Sequence, residues 1–369
     1  MKPDPEKKQA AGRAAQQLNL RLGEGAVRRM DELPGHAEAL STGILGIDHV
    51  LGVGGVPRGR ITELYGDAGC GKTTLALQLV AQTQRGGGTA AWIDAEHAFD
   101  PAYARALGVD VPELYFSQPM TGEEALITAV RLVETGVPDL VVLDSVAALL
   151  PGEELREELS CGRPGAQARM LSIGLRGLNR AVGSSSAAAL LLNQLRTDIR
   201  PSASGTGRDR TAGGLALGFY ASVRLELKLL YHLMSGEECT GSRLRLTARK
   251  NRLAPPYTGV ELESRLGRGI DPVTDLVEQC LIMGILQREG RLIRMGRVRE
   301  EGPEAMAERL RQHPEEAERL RRRLLLRWRE DGPVPVPCEA QLLQEDILTE
   351  PRLPEPPVCE PAEEKRSVR

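Results

Sequence analysis

Residues 61–74 read Ile61-Thr62-Glu63-Leu64-Tyr65-Gly66-Asp67-Ala68-Gly69-Cys70-Gly71-Lys72-Thr73-Thr74, and this stretch decides the fold. The β-branched run over 61–65 predicts a strand, and the apolar pattern over 75–80 predicts a helix. Between them, residues 66–73 match the phosphate-binding pattern G-x-x-x-x-G-K-[ST] in the strand–loop–helix setting that it needs. The stretch therefore predicts a nucleotide-binding α/β fold; a glycine-rich turn that matches by chance is the alternative.

The residue types of this loop suit a bound triphosphate. Its glycines let the backbone curl so that successive N–H groups point inward at phosphate oxygens. The helix that follows presents its positive dipole end to the same anion. Lys72 is placed to reach the β- and γ-phosphates, and the Thr73 hydroxyl is placed to bind Mg²⁺. The predicted nucleotide contacts are Gly66, Asp67, Ala68, Gly69, Cys70, Gly71, Lys72, Thr73 and Thr74.

Composition sets broad limits on the chain, which has 369 residues and a formal net charge of −3. The length predicts about two domains, and the charge neither requires nor excludes a nucleic-acid partner. We find no apolar signal segment and no stretch long enough to span a membrane, so we expect a cytoplasmic protein.

The six cysteines lack metal-ligand or redox-motif spacing, which favours reduced, structural thiols. Cys70 is the exception, because a helix N-terminus favours its thiolate; a small residue that merely fits the loop is the alternative.

Strand and helix patterns alternate after the glycine-rich loop. The predicted strand at residues 140–143 has no polar residue, as expected for a sheet covered on both faces. The alternation predicts a mainly parallel α/β sheet whose ligand lies at the carboxyl ends of its strands. Other predicted strands are residues 89–93, 114–117, 187–192, 223–229 and 244–248. Predicted helices are residues 101–108, 125–133 with a capping box at Thr121, and 166–181.

The segments around this core differ from it in composition. Residues 1–34 include a helical pattern at 10–22, and composition favours a tail over a docking arm. Residues 196–214 are rich in Gly, Ser, Thr and Arg, which predicts a mobile loop. Residues 271–331 form a smaller unit with a local excess of arginine, which predicts duplex-DNA binding; a solvated face of paired Glu and Arg is the alternative. Residues 332–369 are rich in Pro and Glu and are predicted to be disordered.

Polar residues at strand ends are the candidates for chemistry. Asp144 follows an apolar strand and is placed to hold Mg²⁺, with helix capping before Ser145 as the alternative. Glu96 is placed to orient and deprotonate an attacking water. Spacing alone does not separate it from Asp94, two residues earlier, or from a solvated strand-end acid. Gln194 ends a strand that we expect beside the γ-phosphate, where its amide can relay the presence of that phosphate to the following loop.

Several blocks of sequence carry a resemblance to a known family. They are Gly59-Arg60-Ile61-Thr62-Glu63-Leu64-Tyr65-Gly66, Ile93-Asp94-Ala95-Glu96-His97-Ala98-Phe99-Asp100-Pro101, Tyr103-Ala104-Arg105, Ser117-Gln118-Pro119, Asp144-Ser145-Val146-Ala147-Ala148-Leu149, Asn193-Gln194 and Phe219-Tyr220-Ala221-Ser222-Val223-Arg224. In these blocks the chain resembles the bacterial RecA recombinases, from residue 23 to residue 328. The resemblance implies a RecA-type P-loop ATPase core at residues 35–270 and a small α+β C-terminal domain at 271–331. It also implies that residues 1–34 are a polymerisation arm that packs on the next protomer, against the composition-based preference for a tail.

The resemblance implies roles for residues at the nucleotide. Glu96 is similar to the general base that activates water, and Gln194 is similar to the sensor that links ATP to a DNA-binding loop. Asp100 and Tyr103 are similar to adenine contacts, with Tyr103 stacking on the base, and Gly267 is a further implied nucleotide contact. The expected cofactors are ATP and Mg²⁺.

The resemblance also implies contacts between subunits and with DNA. In Arg249-Lys250-Asn251-Arg252, the residues Lys250 and Arg252 match two basic residues that reach the γ-phosphate of a neighbouring subunit. Phe219 matches an interface residue that couples adjacent subunits. The residues that match two DNA-binding loops are Arg169, Arg176, Arg196, Ile199, Gly213 and Gly214.

The chain departs from the family pattern chiefly in those loops. The phosphate loop has Asp67, Ala68 and Gly69 where the family usually has Pro, Glu and Ser, but the required glycines, lysine and threonine remain. The first DNA loop, 156–165, has changed residues, and the second, 202–210, lacks the family's Met-Phe-Gly-Asn-Pro-Glu run. Gly218 replaces an interface lysine. The pattern thus preserves ATP binding and alters the parts that spread the bases and signal to the nucleotide.

The first hypothesis for function is a DNA-dependent ATPase that forms helical filaments on single-stranded DNA and promotes homologous pairing and strand exchange in repair. Its expected partners are single- and double-stranded DNA, further copies of itself and a LexA-like repressor of the SOS response. The second hypothesis is a divergent paralogue that binds ATP and DNA in a regulatory or coating role without strand exchange. A small-molecule kinase is a remote third hypothesis, because the sequence has no recognisable acceptor site.

Overall fold

Strand β3, which leads into the glycine-rich loop, lies inside a ten-stranded sheet. The computed structural model describes residues 4–23, 25–29, 37–156, 165–197, 209–211 and 214–331. Within them the strands are β1 (Ala39–Leu40), β2 (Val56–Pro57), β3 (Ile61–Gly66), β4 (Ala90–Asp94), β5 (Tyr115–Ser117), β6 (Leu140–Asp144), β7 (Ala188–Thr197), β8 (Asp209–Thr211), β9 (Val223–Ser235), β10 (Glu238–Asn251), β11 (Gly259–Arg265), β12 (Gly269–Ile270), β13 (Gln287–Glu289), β14 (Leu292–Met295) and β15 (Val298–Glu301).

The helices cover both faces of that sheet and build the C-terminal unit. They are α1 (Pro5–Leu22), α2 (Leu45–Leu51), α3 (Lys72–Arg85), α4 (Pro101–Ala106), α5 (Gly122–Glu134), α6 (Gly152–Arg156), α7 (Ala166–Gly183), α8 (Gly214–Tyr220), α9 (Pro272–Ile282), α10 (Gly302–Gln312) and α11 (Pro314–Asp331). In the part of the chain that the structure describes, none of these helices combines the length and apolar character needed to cross a membrane.

The large sheet is parallel at its centre and antiparallel at one side. Its order is β12-β11-β10-β9-β3-β7-β6-β4-β5, and β8 pairs with the end of β7. The pairs from β9 through β5 are parallel. Those among β9, β10, β11 and β12, and the pair β7–β8, are antiparallel. The prediction of a mainly parallel α/β sheet is confirmed.

The central strands alternate their side chains between two apolar clusters. In β6, Leu140 and Val142 pack on the side of α3, whereas Val141 and Leu143 pack on the side of α5 and α7. All four are at most 1% exposed. Because both faces are covered, the strand is apolar at each of these positions. The prediction of a doubly covered strand at 140–143 is therefore confirmed.

Local capping explains where two of the helices begin. The Thr121 hydroxyl accepts a hydrogen bond from the Glu124 N–H at 3.1 Å, so α5 begins after Thr121, as the capping box predicted. Helix α1 begins at Pro5, earlier than predicted. Asp4 accepts from the Glu6 N–H at 3.0 Å, and proline suits the first helical turn.

The C-terminal unit has an apolar cluster of its own. It is formed by side chains of α9, α10, α11 and β14, among them Val277, Met306 and Leu324. Helix α2 of the core joins it: His49 stacks on Trp328 with the ring centroids 4.0 Å apart. The small antiparallel sheet β13–β14–β15 completes this unit. The predicted disordered tail, 332–369, lies outside the described residues.

Candidate active site

The carboxyl ends of four parallel strands meet at one edge of the sheet, where a ligand was predicted. The register pairs Gly66 of β3 with Gln194 of β7, and Asp94 of β4 with Asp144 of β6. Strands β6 and β7 are paired with each other, so the four residues follow one edge. The glycine-rich loop leaves β3 at this edge, and α3 begins there at Lys72.

The backbone of the glycine-rich loop has the curled form that its sequence predicted. Gly69 and Gly71 have φ of 73° and 95°, in the left-handed region that glycine adopts readily. Among the described residues, no heavy atom lies within 4 Å of a Cβ built on Gly69, so the loop has open space beside it. The Lys72 ammonium donates to the carbonyls of Gly66 at 3.0 Å and Asp67 at 2.6 Å. This cradle of backbone groups and one cation suits a phosphate.

Thr73 and Asp144 form the candidate magnesium site. The Thr73 hydroxyl donates to Asp144 Oδ2 at 3.0 Å. Burial and the nearby Glu96 carboxylate raise the pKa of Asp144 to about 7. A hydroxyl and a carboxylate are the hard oxygen ligands that Mg²⁺ prefers, so these residues fit that ion. Ser145, rather than Asp144, directly precedes the 3-10 helix Val146–Ala148, which argues against the helix-capping alternative for Asp144.

Asp94 is buried and shapes the loop that follows β4. Its side chain is 1% exposed. The carboxylate accepts hydrogen bonds from the N–H groups of Ala98 at 3.2 Å and Phe99 at 3.1 Å, and from the Gln118 amide at 3.0 Å. Because the buried Asp94 carboxylate already accepts these hydrogen bonds, Asp94 is a poorer candidate than Glu96 for the base that contacts the attacking water.

Glu96 is exposed and faces the other candidate residues. Its Oε1 accepts from the Ser145 hydroxyl at 2.5 Å and from the Gln194 amide at 2.8 Å. The structure thus separates the two acids that spacing left equal, and it brings Glu96 to Gln194. Sequence reasoning assigned no contact to Ser145, although this residue directly follows Asp144 in one of the blocks that carry the family resemblance.

The residues implied for the adenine lie near the start of α3 and in a separate turn. The Tyr103 hydroxyl and the Thr74 hydroxyl are 2.7 Å apart, which places Tyr103 against the first turn of α3. Asp100 is exposed and caps α4, accepting from the Ala102 N–H at 2.7 Å. Gly267 lies in the turn between β11 and β12, with φ of 71°.

Cys70 is 1% exposed, with its Sγ 3.8 Å from the Lys72 ammonium. Burial raises the pKa of the thiol. This environment favours the alternative in which Cys70 is a small residue that fits the loop.

Phosphate loops of this kind occur in many families, and comparison with known proteins separates them. The family described as the RecA N-terminal domain matches residues 9–271, which is more than half of the chain. The chain belongs to the RecA family. The RecA protein of Thermus thermophilus is 44% identical over 327 residues, covering 88% of this chain and 96% of that protein. The RecA protein of Chlorobaculum tepidum is 43% identical over 289 residues, covering 78% and 83%.

Membership of the RecA family establishes the class of activity that the motifs predicted. The chain is a DNA-dependent ATPase of homologous recombination and repair. Among solved structures, that of the RadB recombinase covers 63% of this chain and 98% of its own, with 25% identity and a TM-score of 0.48.

The residues that the RecA family implies for the subunit interface cluster around the end of α8. The Lys250 ammonium donates to the carbonyls of Gly218 at 2.7 Å and Ala221 at 2.6 Å, and Arg252 donates to the carbonyl of Phe219 at 3.3 Å. Burial and the neighbouring Arg252 lower the pKa of Lys250. The Phe219 side chain is 67% exposed. The two cations and the aromatic ring therefore belong to one surface feature.

The candidate DNA contacts are only partly described. Arg169 and Arg176 lie on α7, where Arg176 donates to the Tyr220 hydroxyl at 3.5 Å. Arg196 lies near the end of β7, where its backbone pairs with β8, and Gly214 begins α8. Ile199, Gly213 and most of both implied DNA-binding loops lie outside the described residues.

Sequence reasoning missed an ion pair between a buried glutamate of β3 and a partly buried arginine of β9. Glu63, which is 0% exposed, pairs with Arg224. Asn193 donates to Glu63 Oε1 at 2.9 Å, and Arg224 donates to the Thr211 hydroxyl at 3.2 Å. The network joins β3, β7, β8 and β9. Its signal in the sequence was a lone glutamate inside the apolar strand before the phosphate loop.

Proposed function

We propose that this RecA-family chain forms helical filaments on single-stranded DNA and promotes homologous pairing and strand exchange, with ATP and Mg²⁺ as its cofactors. The contact between Glu96 and Gln194 carries the proposal. Gln194 stands in β7 just before residues 196–214, which include positions that match a DNA-binding loop, and its amide lies 2.8 Å from the Glu96 carboxylate. A change in that loop therefore has a short route to the residue that activates water.

In the proposed reaction, the residues of the sheet edge divide the work of ATP hydrolysis. The backbone of the phosphate loop and Lys72 bind the phosphates, and Thr73 with Asp144 would hold Mg²⁺. When bound, Mg²⁺ neutralises charge that develops on the phosphate oxygens. Both hydrogen-bond donors to Glu96 use Oε1, and we assign Oε2 to take the proton from the attacking water.

The proposal places Lys250 and Arg252 at the ATP of a neighbouring subunit in the filament. In the single chain they are grouped with the exposed Phe219 at the end of α8. Cations added to a phosphoryl-transfer site from a second protein surface raise rates by about 10³–10⁵. Hydrolysis would then depend on filament assembly, with α1 as the arm that packs on the next protomer.

Hydrolysis of ATP with and without single-stranded DNA tests the proposal. We expect strong stimulation by the DNA, because Gln194 precedes that loop in the chain and contacts Glu96. A flat response with intact ATP binding would contradict the coupling and favour the second candidate.

That second candidate is a paralogue that coats DNA or regulates another protein without strand exchange. The observation in its favour is the lost Met-Phe-Gly-Asn-Pro-Glu run in residues 202–210. A displacement-loop assay with homologous duplex separates the two. Joint molecules would support strand exchange, and DNA-stimulated hydrolysis without joint molecules would support the paralogue.

The proposal also includes the finer assignments of partners and domains. We divide the chain into an arm at 1–34, a core at 35–270, a C-terminal domain at 271–331 and a tail at 332–369, in a cytoplasmic protein that also acts on a LexA-like repressor. The separate apolar cluster around α9, α10 and α11 supports the third unit, at residues 271–331.

If the unit at residues 271–331 binds duplex DNA through phosphates, the logarithm of its affinity for the duplex should fall linearly with the logarithm of the salt concentration. Unchanged duplex binding after truncation at Gly269 would contradict that role.

A further inference from the structure

The loop that carries Glu96 is tied down at both of its ends. At its start, the N–H groups of Ala95 and Glu96 donate to the Asp144 carbonyl at 2.7 and 3.1 Å. At its end, the N–H groups of Ala98 and Phe99 donate to the Asp94 carboxylate at 3.2 and 3.1 Å. These four bonds leave Glu96 on a short, closed turn whose shape depends on where the Asp94 carboxylate sits.

Asp94 is itself held by Gln118, the residue that follows the neighbouring strand β5. Its carboxylate is almost fully buried, and a buried carboxylate needs several donors to remain in one place. The donor from outside the loop is the Gln118 amide, which lies 3.0 Å from Asp94 Oδ2. Gln118 directly follows β5, which pairs with β4. The amide therefore joins the end of one strand to the carboxylate at the end of the next.

Strand β5 also packs against the far end of the same loop. The Phe99 ring lies 4.9 Å from the Phe116 ring of β5 and 5.6 Å from the Trp92 ring, measured between centroids. Packing and hydrogen bonding from β5 thus act on the same few residues. The rest of the Gln118 side chain is exposed, so its substitution does not open a cavity in the core.

We propose that Gln118 is a positioning residue for Glu96, acting through the Asp94 carboxylate. The inference rests on the proposed function, in which Glu96 activates water. Loss of the amide donor lets Asp94 and the loop shift, and Glu96 then misses the geometry that proton transfer needs. Displacements of about 1 Å at a catalytic group cost up to about 100-fold in rate. Because the Gln118 amide binds Asp94 rather than a residue of the phosphate loop, we expect nucleotide affinity to stay unchanged.

The test is ATP hydrolysis on single-stranded DNA by full-length variants, with kcat and KM measured separately. Gln118→Glu keeps the shape of the side chain and removes the donor, and Gln118→Lys restores a donor. We expect Gln118→Glu to lower kcat about tenfold with KM within about twofold, and Gln118→Lys to recover most of kcat. Binding of a non-hydrolysable fluorescent ATP analogue is expected to be the same for all.

Gln84 supplies a matched control. Its amide also ties a loop, donating to the Asp110 carbonyl and accepting from the Asp110 N–H, each at 2.9 Å, but it lies at the far end of α3. Gln84→Glu should keep kcat and KM. A role of Gln118 in stability alone would make the Glu and Lys variants lose kcat equally, and that result overturns the inference.

Two further variants keep the outcome decisive. Gln118→Met lacks a donor without adding charge, and it replaces Gln118→Glu if that variant fails to fold; full kcat in Gln118→Met overturns the inference. Glu96→Gln is measured beside it. If Glu96→Gln still hydrolyses ATP normally, the proposed role of Glu96 and this inference both fall. If Glu96→Gln is inactive while Gln118→Met is fully active, only the inference falls.

Discussion

The edge of the sheet that carries Glu96 and the C-terminal unit at 271–331 are both rich in charged residues, but they use charge differently. At the edge, side chains far apart in sequence bind the same atom: Glu96 Oε1 accepts hydrogen bonds from the Ser145 hydroxyl and the Gln194 amide. In the C-terminal unit, several exposed arginines instead pair with a glutamate one turn away on the same helix, as Arg322 does with Glu318 at 3.0 Å. Glu96 is distinguished from such local exposed pairs because donors 49 and 98 residues away in the sequence meet on one of its oxygens.

The same contrast holds for what stabilises each region. Exposed ion pairs contribute about 0–1 kcal/mol, so the C-terminal unit depends on its apolar cluster for stability. At the sheet edge, by contrast, the polar contacts hold the residues that we propose for the reaction. Substitutions at the edge should therefore change rates, whereas those in the C-terminal cluster should change the free energy of unfolding.

The largest expected effect is that of Lys250→Ala. We expect DNA-stimulated hydrolysis to fall by about 10³–10⁵ while ATP still binds, because a cation would be missing from the neighbouring site. A mixture with Lys72→Ala provides the control for misfolding: subunits with an intact phosphate loop would meet neighbours with an intact Lys250. Activity of the mixture above either variant alone supports sharing. Wild-type turnover by Lys250→Ala would refute the shared site.

The second effect is that of Glu96→Gln, which keeps the shape of the side chain and removes the base. We expect kcat to fall by about 10²–10⁴, since that is the usual contribution of a general base. Affinity for a non-hydrolysable ATP analogue should not change. Glu113→Gln, at an exposed position away from the sheet edge, serves as the control and should leave kcat unchanged.

The third effect belongs to the C-terminal cluster. Leu324 is 0% exposed, and Leu324→Ala should lower the free energy of unfolding by about 2–5 kcal/mol. Arg322→Ala removes only an exposed ion pair and should change it by less than about 0.5 kcal/mol. Urea unfolding followed by Trp328 fluorescence, in a Trp92→Phe background, measures both. Equal losses of unfolding free energy in the two variants would contradict the conclusion that the apolar cluster, rather than exposed ion pairs, stabilises this unit.

The remaining effect is a pH dependence of stability at the joint between α2 and α9. Asp275 accepts from the Gly46 N–H at 2.9 Å, and burial raises its pKa from 3.8 to about 7. Because the folded protein holds the proton more tightly than the unfolded chain, the contribution of Asp275 to stability is full below its unfolded pKa. That contribution is lost as the pH rises through the folded pKa of about 7. The stability of the wild type relative to Asp275→Asn, measured by urea unfolding, should therefore fall between about pH 4 and about pH 7.

Asp271 provides the opposite sign as a control. Burial acts to raise its pKa, but hydrogen bonds from Thr274 and Arg311 outweigh burial, and the pKa is lowered. Its contribution is present above its unfolded pKa and is lost only as the pH falls through the folded value. The difference in free energy of unfolding between the wild type and Asp271→Asn should stay constant from about pH 5 to about pH 7. Over the same range, the difference between the wild type and Asp275→Asn still changes. If the free energy of unfolding of the wild type relative to Asp275→Asn stayed constant over this pH range, the raised pKa of Asp275 would be contradicted.

The sequence predicted those parts of the fold whose pattern is long enough to have a period. Strands β3, β4, β6 and β7 and helices α5 and α7 appear close to their predicted places, because apolar residues repeat over several positions. The two-residue strands β1, β2 and β12 have no period to detect, and β13 (Gln287–Glu289) is polar and exposed. The long hairpin β9–β10 exceeded its predicted length, since its outer half leaves the core and loses the alternation.

The candidate site was predictable in its motifs and less so in its contacts. The phosphate loop and Asp144 could be assigned because local sequence dictates their geometry. The choice between Asp94 and Glu96 required the tertiary structure, since it depends on donors from residues 98, 99, 118, 145 and 194. The sequence marked Glu63 as unusual but did not identify its partner Arg224, because the two residues are 161 positions apart.

The pairing of β7 with β8 has a practical consequence for protein engineering. Residues 195–197 and 209–211 are joined by an antiparallel ladder, so main-chain bonds close the segment between them. Doubling the length of a closed loop costs only about 0.6 kcal/mol, so we expect an insertion between the two strands to cost little stability as long as this ladder is kept. If this segment contacts DNA as proposed, a peptide tag inserted there would report on that contact from within the chain.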